Sequence, residues 1–269
     1  MENMEMNPKL EVVLEKFNLA KEVVLRIGKE LKDKSDIVVE SKNNDISDLV
    51  TNYDVEVQDK IMNEIKNVFL DDSWLCEENV NQIVSSNLWI LDPIDGTTNF
   101  ISHRRDYTIS LAYYHRGKPT FGIVYDVVND ELYHCVVGQG AYCNDQQLEQ
   151  LPITKMKDSI LNGSLKSLLG FYRSHGLDLD RLSKKIRAHR SLGCSSLAIC
   201  QLALNKEQLF ISNHIKLWDY AAARLLLEEV GGRIDIYYTL NAIDSNQTCV
   251  AATSDELLKE FTNQCTEWN

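Results

Sequence analysis

Positive charge is scarce in this sequence. Its 28 Lys and Arg stand against 40 Asp and Glu, a formal net charge of −12, so no basic surface is expected of the kind that grips a nucleic-acid backbone. Cysteine pairs are missing too. The seven cysteines are odd in number and none forms a C-x-x-C pair, which reads as small buried thiols, reduced, in a cytoplasmic protein. The six histidines, at 103, 115, 134, 175, 189 and 214, show no H-x-x-x-H spacing, and this disfavours zinc. No apolar run has the length of a membrane span, and Glu2, Glu5 and Glu11 suit neither a secretory leader nor a transit peptide. Gly138-Gln139-Gly140 is too short for a dinucleotide fingerprint and reads as a β-turn. Ser195-Ser196, with His189 nearby, lacks a G-x-S-x-G elbow. Repeats, low-complexity tracts and flexible linkers are likewise absent.

What is present suits a packed globule. Of 269 residues, 44% are hydrophobic, enough for one large domain or two intimate lobes. Leu10, Leu14, Phe17, Ala20, Val24, Ile27 and Leu31 recur at helical spacing and predict a long amphipathic first helix. The polar stretch 41–48 reads as a loop or hairpin, and Val57, Ile61, Ile65 and Val68 mark a second helix beginning near Asp54. Residues 88–94 predict a strand. The runs 107–115, 119–127 and 131–137, separated by Gly117-Lys118 and Asn129-Asp130, predict an antiparallel meander. Beyond Pro152 strands and helices alternate. A strand is expected at 208–211, then a helix over 219–230 stopped by Gly231-Gly232. A strand at 248–252 and a last helix capped by Ser254 complete the pattern.

The richest stretch is Asp92-Pro93-Ile94-Asp95-Gly96-Thr97-Thr98-Asn99, which follows the apolar run Leu88-Trp89-Ile90-Leu91. Two carboxylates three residues apart therefore end a buried strand. Pro93 stiffens the turn between them, and Gly96 lets the backbone approach a bound group. The amides of Thr97 and Thr98 are placed to point outward as at a helix N-terminus, where a phosphate is stabilised. Acids, a stiff turn and amides together point to a hard metal ion holding a phosphate. Bound cations would also reconcile a phosphate site with an acidic protein. Other acids stand where apolar segments meet turns or helix starts: Asp54, Glu77-Glu78 and Asp219. Taken singly each has a plainer role, an N-cap for Asp54 or Asp219 and a solvated turn for the glutamates.

In order along the chain, four blocks resemble the inositol monophosphatase family of magnesium-dependent, lithium-sensitive phosphatases. They are Asp48-Leu49-Val50-Thr51-Asn52-Tyr53-Asp54, Glu77-Glu78, Trp89 through Phe100, and Trp218-Asp219-Tyr220-Ala221-Ala222 through Gly232. Arg190-Ser191-Leu192-Gly193 adds a weaker match, and Cys76 stands where the family usually has Gly. The resemblance implies an α/β (α+β layered) fold, a sugar-phosphatase-like alternating αβαβα sandwich. It implies an N-terminal lobe over 1–150 with most metal ligands and a C-terminal lobe over 151–269 completing the site. Glu77, Asp92 and the Ile94 carbonyl would hold one Mg2+, and Asp92, Asp95 and Asp219 a second. A third, weaker ion would lean on Glu77. Thr97, hydrogen-bonded to Asp54, would orient a metal-activated water, with Asp54, Glu77 and Thr97 as the catalytic set. Asp95, Gly96, Thr97, Gly193, Cys194, Ser195 and Asp219 would contact substrate.

The implied reaction is hydrolysis of a small phosphate monoester, inositol 1-phosphate first, in a homodimer with no nucleic-acid or membrane partner. One departure bears on specificity. The family Glu that holds inositol hydroxyls falls at Ser212, with Asn213 and His214 as neighbouring substitutes. This keeps open a phosphatase for NADP, a nucleotide 3′-phosphate or fructose 1,6-bisphosphate. Lys216 either meets a second phosphate or is a solvated surface residue. His103-Arg104-Arg105 either steers anions, reaches a partner's site, or is a plain loop. A non-catalytic regulatory binding partner, for instance of RNA polymerase as for some bacterial relatives, is the reading from another class.

Overall fold

The structure is a computed structural model and describes residues 8–41, 49–78, 85–238 and 246–266. The helical spacing near the N-terminus forms α1 (Pro8–Lys32). The strands β1 (Val39–Ser41) and β2 (Leu49–Thr51) pair antiparallel. Residues 42–48 of the expected loop, including Asp48 of the first acidic block, lie outside the described residues. Next come α2 (Asn52–Lys66), β3 (Ser73–Cys76), β4 (Leu88–Asp95) and the short α3 (Thr97–Ser102). The meander follows as β5 (Thr108–His115), β6 (Lys118–Asp126) and β7 (Glu131–Val136), extended by β8 (Ala141–Cys143) and β9 (Gln146–Gln147). Strands β3 to β9 form one seven-stranded sheet in sequence order, parallel only between β3 and β4.

The second half builds β10 (Ile160–Asn162), α4 (Leu165–His175), α5 (Leu179–Ser183), β11 (Ala188–Arg190), α6 (Ser195–Ala203) and β12 (Leu209–Ile215). It ends with α7 (Leu217–Glu229), β13 (Arg233–Tyr238), β14 (Gln247–Ala252) and α8 (Asp255–Thr262). Its five-stranded sheet runs β11-β10-β12-β14-β13.

Alternation of side chains along each strand sorts them into layers. Trp89 and Leu91 of β4, with Phe121, Ile123 and Tyr125 of β6, face Val24 and Ile27 of α1 and Ile61 and Ile65 of α2. Ile90, Ala112 and Val124 point the other way, onto α6 and α7. The same two helices cover Phe210, Cys249 and Ala251 of the second sheet. Its opposite face, Leu209, Ile211 and Val250, packs on Phe171 of α4 and Leu257 and Phe261 of α8. The order is therefore helices, sheet, helices, sheet, helices: the expected αβαβα sandwich. The middle helices are squeezed from both sides, and α7 answers with Ala221-Ala222-Ala223, all buried. On β6 the matching residue is Gly122, where a Cβ would stand 2.5 Å from the Ala222 carbonyl oxygen.

Candidate active site

Strand β4 carries the chemistry to one place. It is buried along nearly its whole length, and its ladder with β5 shifts register between Asp92 and Asp95. Pro93 sits inside that shift, where its missing N–H removes a ladder donor. Gly96 follows with φ of +91°, a conformation glycine adopts without strain. Close packing also requires it, since a Cβ would lie 3.0 Å from the Asp106 carbonyl oxygen.

Asp54 is completely buried, and it is the third residue of α2 instead of its N-cap. Thr51 takes the cap position, its hydroxyl accepting the Tyr53 amide at 3.1 Å. The Asp54 Oδ2 accepts the Thr51 amide at 2.7 Å and the Thr51 hydroxyl. This leaves Oδ1 to accept the Thr97 hydroxyl at 3.2 Å. The same hydroxyl lies 3.0 Å from the Ile94 carbonyl oxygen. Asp219 is likewise the third residue of its helix, its Oδ2 accepting the Lys216 amide at 2.8 Å. Both acids thus stand one turn inside their helices, fixed by the amides that open them.

The remaining acids crowd together. The Glu77 amide continues the β3–β4 pairing onto the Leu91 carbonyl at 3.2 Å, which sets Glu77 beside Asp92. Burial pushes the Asp92 carboxyl well above its ordinary pKa, and the charges of Glu77, Asp95 and Asp219 push it the same way. Asp219 keeps some exposed surface, yet burial is still the leading cause of its raised pKa, followed by Asp95 and Glu77. Burial raises Asp95 as well, against a set of hydrogen bonds that favour its charged form. Its Oδ1 accepts the Ser195 amide at 3.2 Å, and its Oδ2 accepts the Ser196 amide and hydroxyl, both at 2.6 Å, and the Cys194 thiol at 3.3 Å. Asp95 therefore closes the start of α6 from across the molecule.

These groups fit a hard divalent cation. The donor set is oxygen throughout: four carboxylates and the Ile94 carbonyl. Cys194, the nearby sulfur, is held protonated by burial and by Asp95, so it offers no soft ligand. Among the described residues, no three His, Cys, Asp or Glu side chains are already gathered to the spacing of one ion. Beyond burial, the crowding of these carboxylates raises the pKa of Asp92 and Asp219, a repulsion that a cation between them relieves.

Beside the acids lies a cavity of about 200 Å³ lined by Asn162, Ser164, Ser167, Gly193, Ser195 and Ser212 among others. Its polar lining is neutral and short. Asn213 and His214 are not part of that lining. Asn99 bridges the two sides of the site, its amide donating to the carbonyls of Asp106 at 2.9 Å and Leu192 at 2.8 Å. Lys216 rests its ammonium 5.1 Å from the Trp218 ring centre, and its charge partly offsets the repulsion on Asp219. His103 and Arg105 are exposed. Arg104 instead binds the carbonyls of Lys34 at 3.0 Å and Ser35 at 3.2 Å, tying the turn after α3 to the chain beyond α1. Sequence reasoning missed Ser196, Asn99 and this tether. Ser196 was visible only as half of a serine pair, and nothing local links it to an aspartate 101 residues away.

A model of the inositol monophosphatase family matches residues 9–267. The inositol-1-monophosphatase of Bacillus subtilis (strain 168) is 36% identical over 199 residues, covering 73% of this chain and 75% of that protein. The Nus factor SuhB of Pasteurella multocida (strain Pm70) is 27% identical over 266 residues, 96% of each chain. Among solved structures, an IMPase/NADP phosphatase complexed with Mg2+ and phosphate superposes with a TM-score of 0.81. That structure is 26% identical to this chain, covering 93% of it and 95% of its own length.

Proposed function

This chain belongs to the inositol monophosphatase family and is a phosphoric monoester hydrolase; from that premise we propose that it cleaves the phosphate ester of a small, uncharged polyol, inositol 1-phosphate first, with Mg2+. The observation that carries the substrate class is the neutral, serine-lined cavity beside the acids. It offers hydroxyl partners to a polyol and no cation to a second phosphate.

Glu77, Asp92 and the Ile94 carbonyl would hold one Mg2+, Asp92, Asp95 and Asp219 a second, and Glu77 would support a weaker third. When bound, Mg2+ neutralises phosphate charge and lowers the pKa of water. The protein's own share is positional. Thr97 Oγ1 orients the attacking water and passes its proton toward Asp54 Oδ1, which Thr51 keeps aimed by occupying the other oxygen. The amides at Gly96 and Thr97 hold phosphate oxygens where charge develops. Gly193, Cys194 and Ser195 face the alcohol portion. Ser212 supplies a hydroxyl where an acid would bind more strongly.

A second reading rests on the SuhB relative, matched over nearly its full length: a regulatory role carried by protein contact. Phosphate release from inositol 1-phosphate, abolished by a chelator and restored by Mg2+, tests the enzyme reading. Inhibition by lithium is expected alongside. A protein that binds Mg2+ yet releases phosphate from no ester supports the regulatory reading instead.

A further inference from the structure

Gln58 stands one helical turn beyond Asp54 on α2 and is wholly buried. Its Oε1 accepts the backbone amide of Glu78 at 3.1 Å. The side chain cannot be turned over, because its NH2 would then oppose another N–H. Nε2 is therefore directed away from Glu78, and no acceptor among the described residues meets it. An unmatched buried donor loses its hydration without replacement, so its place in a native core calls for an explanation.

The neighbourhood supplies one. Two successive amides fix the acidic turn from opposite sides: Glu77 bonds the β4 carbonyl of Leu91, and Glu78 bonds α2 through Gln58. The helix that carries Asp54 and the turn that carries Glu77 are thus joined by one side chain. An amide does this without adding charge to a region where Asp92 already feels three other carboxylates.

We propose that Gln58 is a positioning residue for the acidic centre. Its carbonyl sets the direction of Glu77 by holding the Glu78 amide, and its Nε2 donates to the oxygen shell of the ion that Glu77 binds. The proposal rests on the Mg2+ reading of the site given above.

The test compares wild type, Gln58→Met, which keeps size and loses both polar groups, and Gln58→Glu, which keeps an oxygen for the Glu78 amide. Mg2+ binding is followed by titration calorimetry and by the Mg2+-induced rise in melting temperature, and Mg2+-dependent phosphate release is followed in parallel. Gln58→Met is expected to bind Mg2+ about tenfold more weakly, with kcat at saturating Mg2+ close to wild type. Gln58→Glu, which keeps the acceptor for the Glu78 amide but loses the Nε2 donor and adds a charge, is expected to restore binding only in part. Should Gln58→Met fail to fold, Gln58→Asn, one methylene too short to reach Glu78, gives the same contrast. Unchanged Mg2+ binding in Gln58→Met, or equal loss in Gln58→Glu, overturns the proposal and leaves the phosphatase reading standing. Wild type that shows no response to Mg2+ overturns both. Wild type that binds Mg2+ but releases no phosphate overturns only the phosphatase reading, because the binding comparison still decides the role of Gln58.

Discussion

Asp92 is the residue on which the site's electrostatics converge, and its raised pKa has a measurable consequence. Unfolded carboxylates titrate near pH 4, whereas the folded, metal-free protein holds protons on Asp92, Asp95 and Asp219 to higher pH. Below the ordinary carboxylate range both states are protonated and the crowding costs nothing. As pH rises through the raised folded values, the unfolded chain binds fewer protons than the folded one, so stability falls. Mg2+ favours the charged forms and cancels that loss. The rise in melting temperature on adding Mg2+ should therefore grow as pH rises above the ordinary carboxylate range; a flat or shrinking rise contradicts the electrostatic picture. Asp95→Asn should lower phosphate release by about a thousandfold or more in a steady-state assay. It should also lower the melting temperature, because an amide cannot accept at both of the positions that Ser195 and Ser196 address. At this scale the pairing of the central block's acids was legible, since Asp92 and Asp95 stand three residues apart at one strand end. Asp54 and Asp219 were legible as acids near helix starts, though each proved to stand behind its cap. Ser196, Gln58 and Arg104 were not legible: each acts on a group far away in the chain, and single-residue chemistry carries no record of that distance.

Elements show why the site is where it is. Strand β4 is buried and paired on both edges, so its end is a fixed point on which α2, β3, α6 and α7 all converge. The meander and the long first helix followed from apolar spacing within one to three residues, because each buries one face against a neighbour. The two-sheet arrangement around α7 was less visible. Its basis is the meeting of Gly122 with Ala222, small residues whose value lies in a close approach that no local pattern announces. Gly122→Val should destabilise the protein by about 1–3 kcal/mol, since the added side chain meets backbone at 2.5 Å and has no flexible atom to displace. Chemical denaturation of the variant measures this. A loss under about 0.5 kcal/mol would mean that α7 can shift within its layer. Lys16 and Asp72 form a second feature hidden from sequence. Both are buried beneath the first sheet, where the ammonium lies 4.0 Å from the Phe69 ring centre and Trp89 Nε1 donates to Asp72 at 2.9 Å.

For the molecule as a whole, five alternating layers place acids from both halves at one cleft, so neither half alone holds the full set. No helix among the described residues is long and apolar enough to cross a membrane. The homodimer implied by the family resemblance is open to light scattering on the purified protein: twice the chain mass is the expected result, and a monomer at micromolar concentration would contradict it. In a protein of net charge −12, the proposed Mg2+ site would tie anion binding to the acids proposed for the chemistry. The most direct measurement is phosphate release in Mg2+ from inositol 1-phosphate, NADP, adenosine 3′,5′-bisphosphate and fructose 1,6-bisphosphate, side by side, with and without lithium. The neutral cavity at Ser212 predicts the highest kcat/KM for inositol 1-phosphate, and the proposed Mg2+ site predicts a loss of activity with lithium. Preference for any of the three substrates with more than one phosphate would contradict the account of the cavity, and release from none of the four would contradict the account of the site.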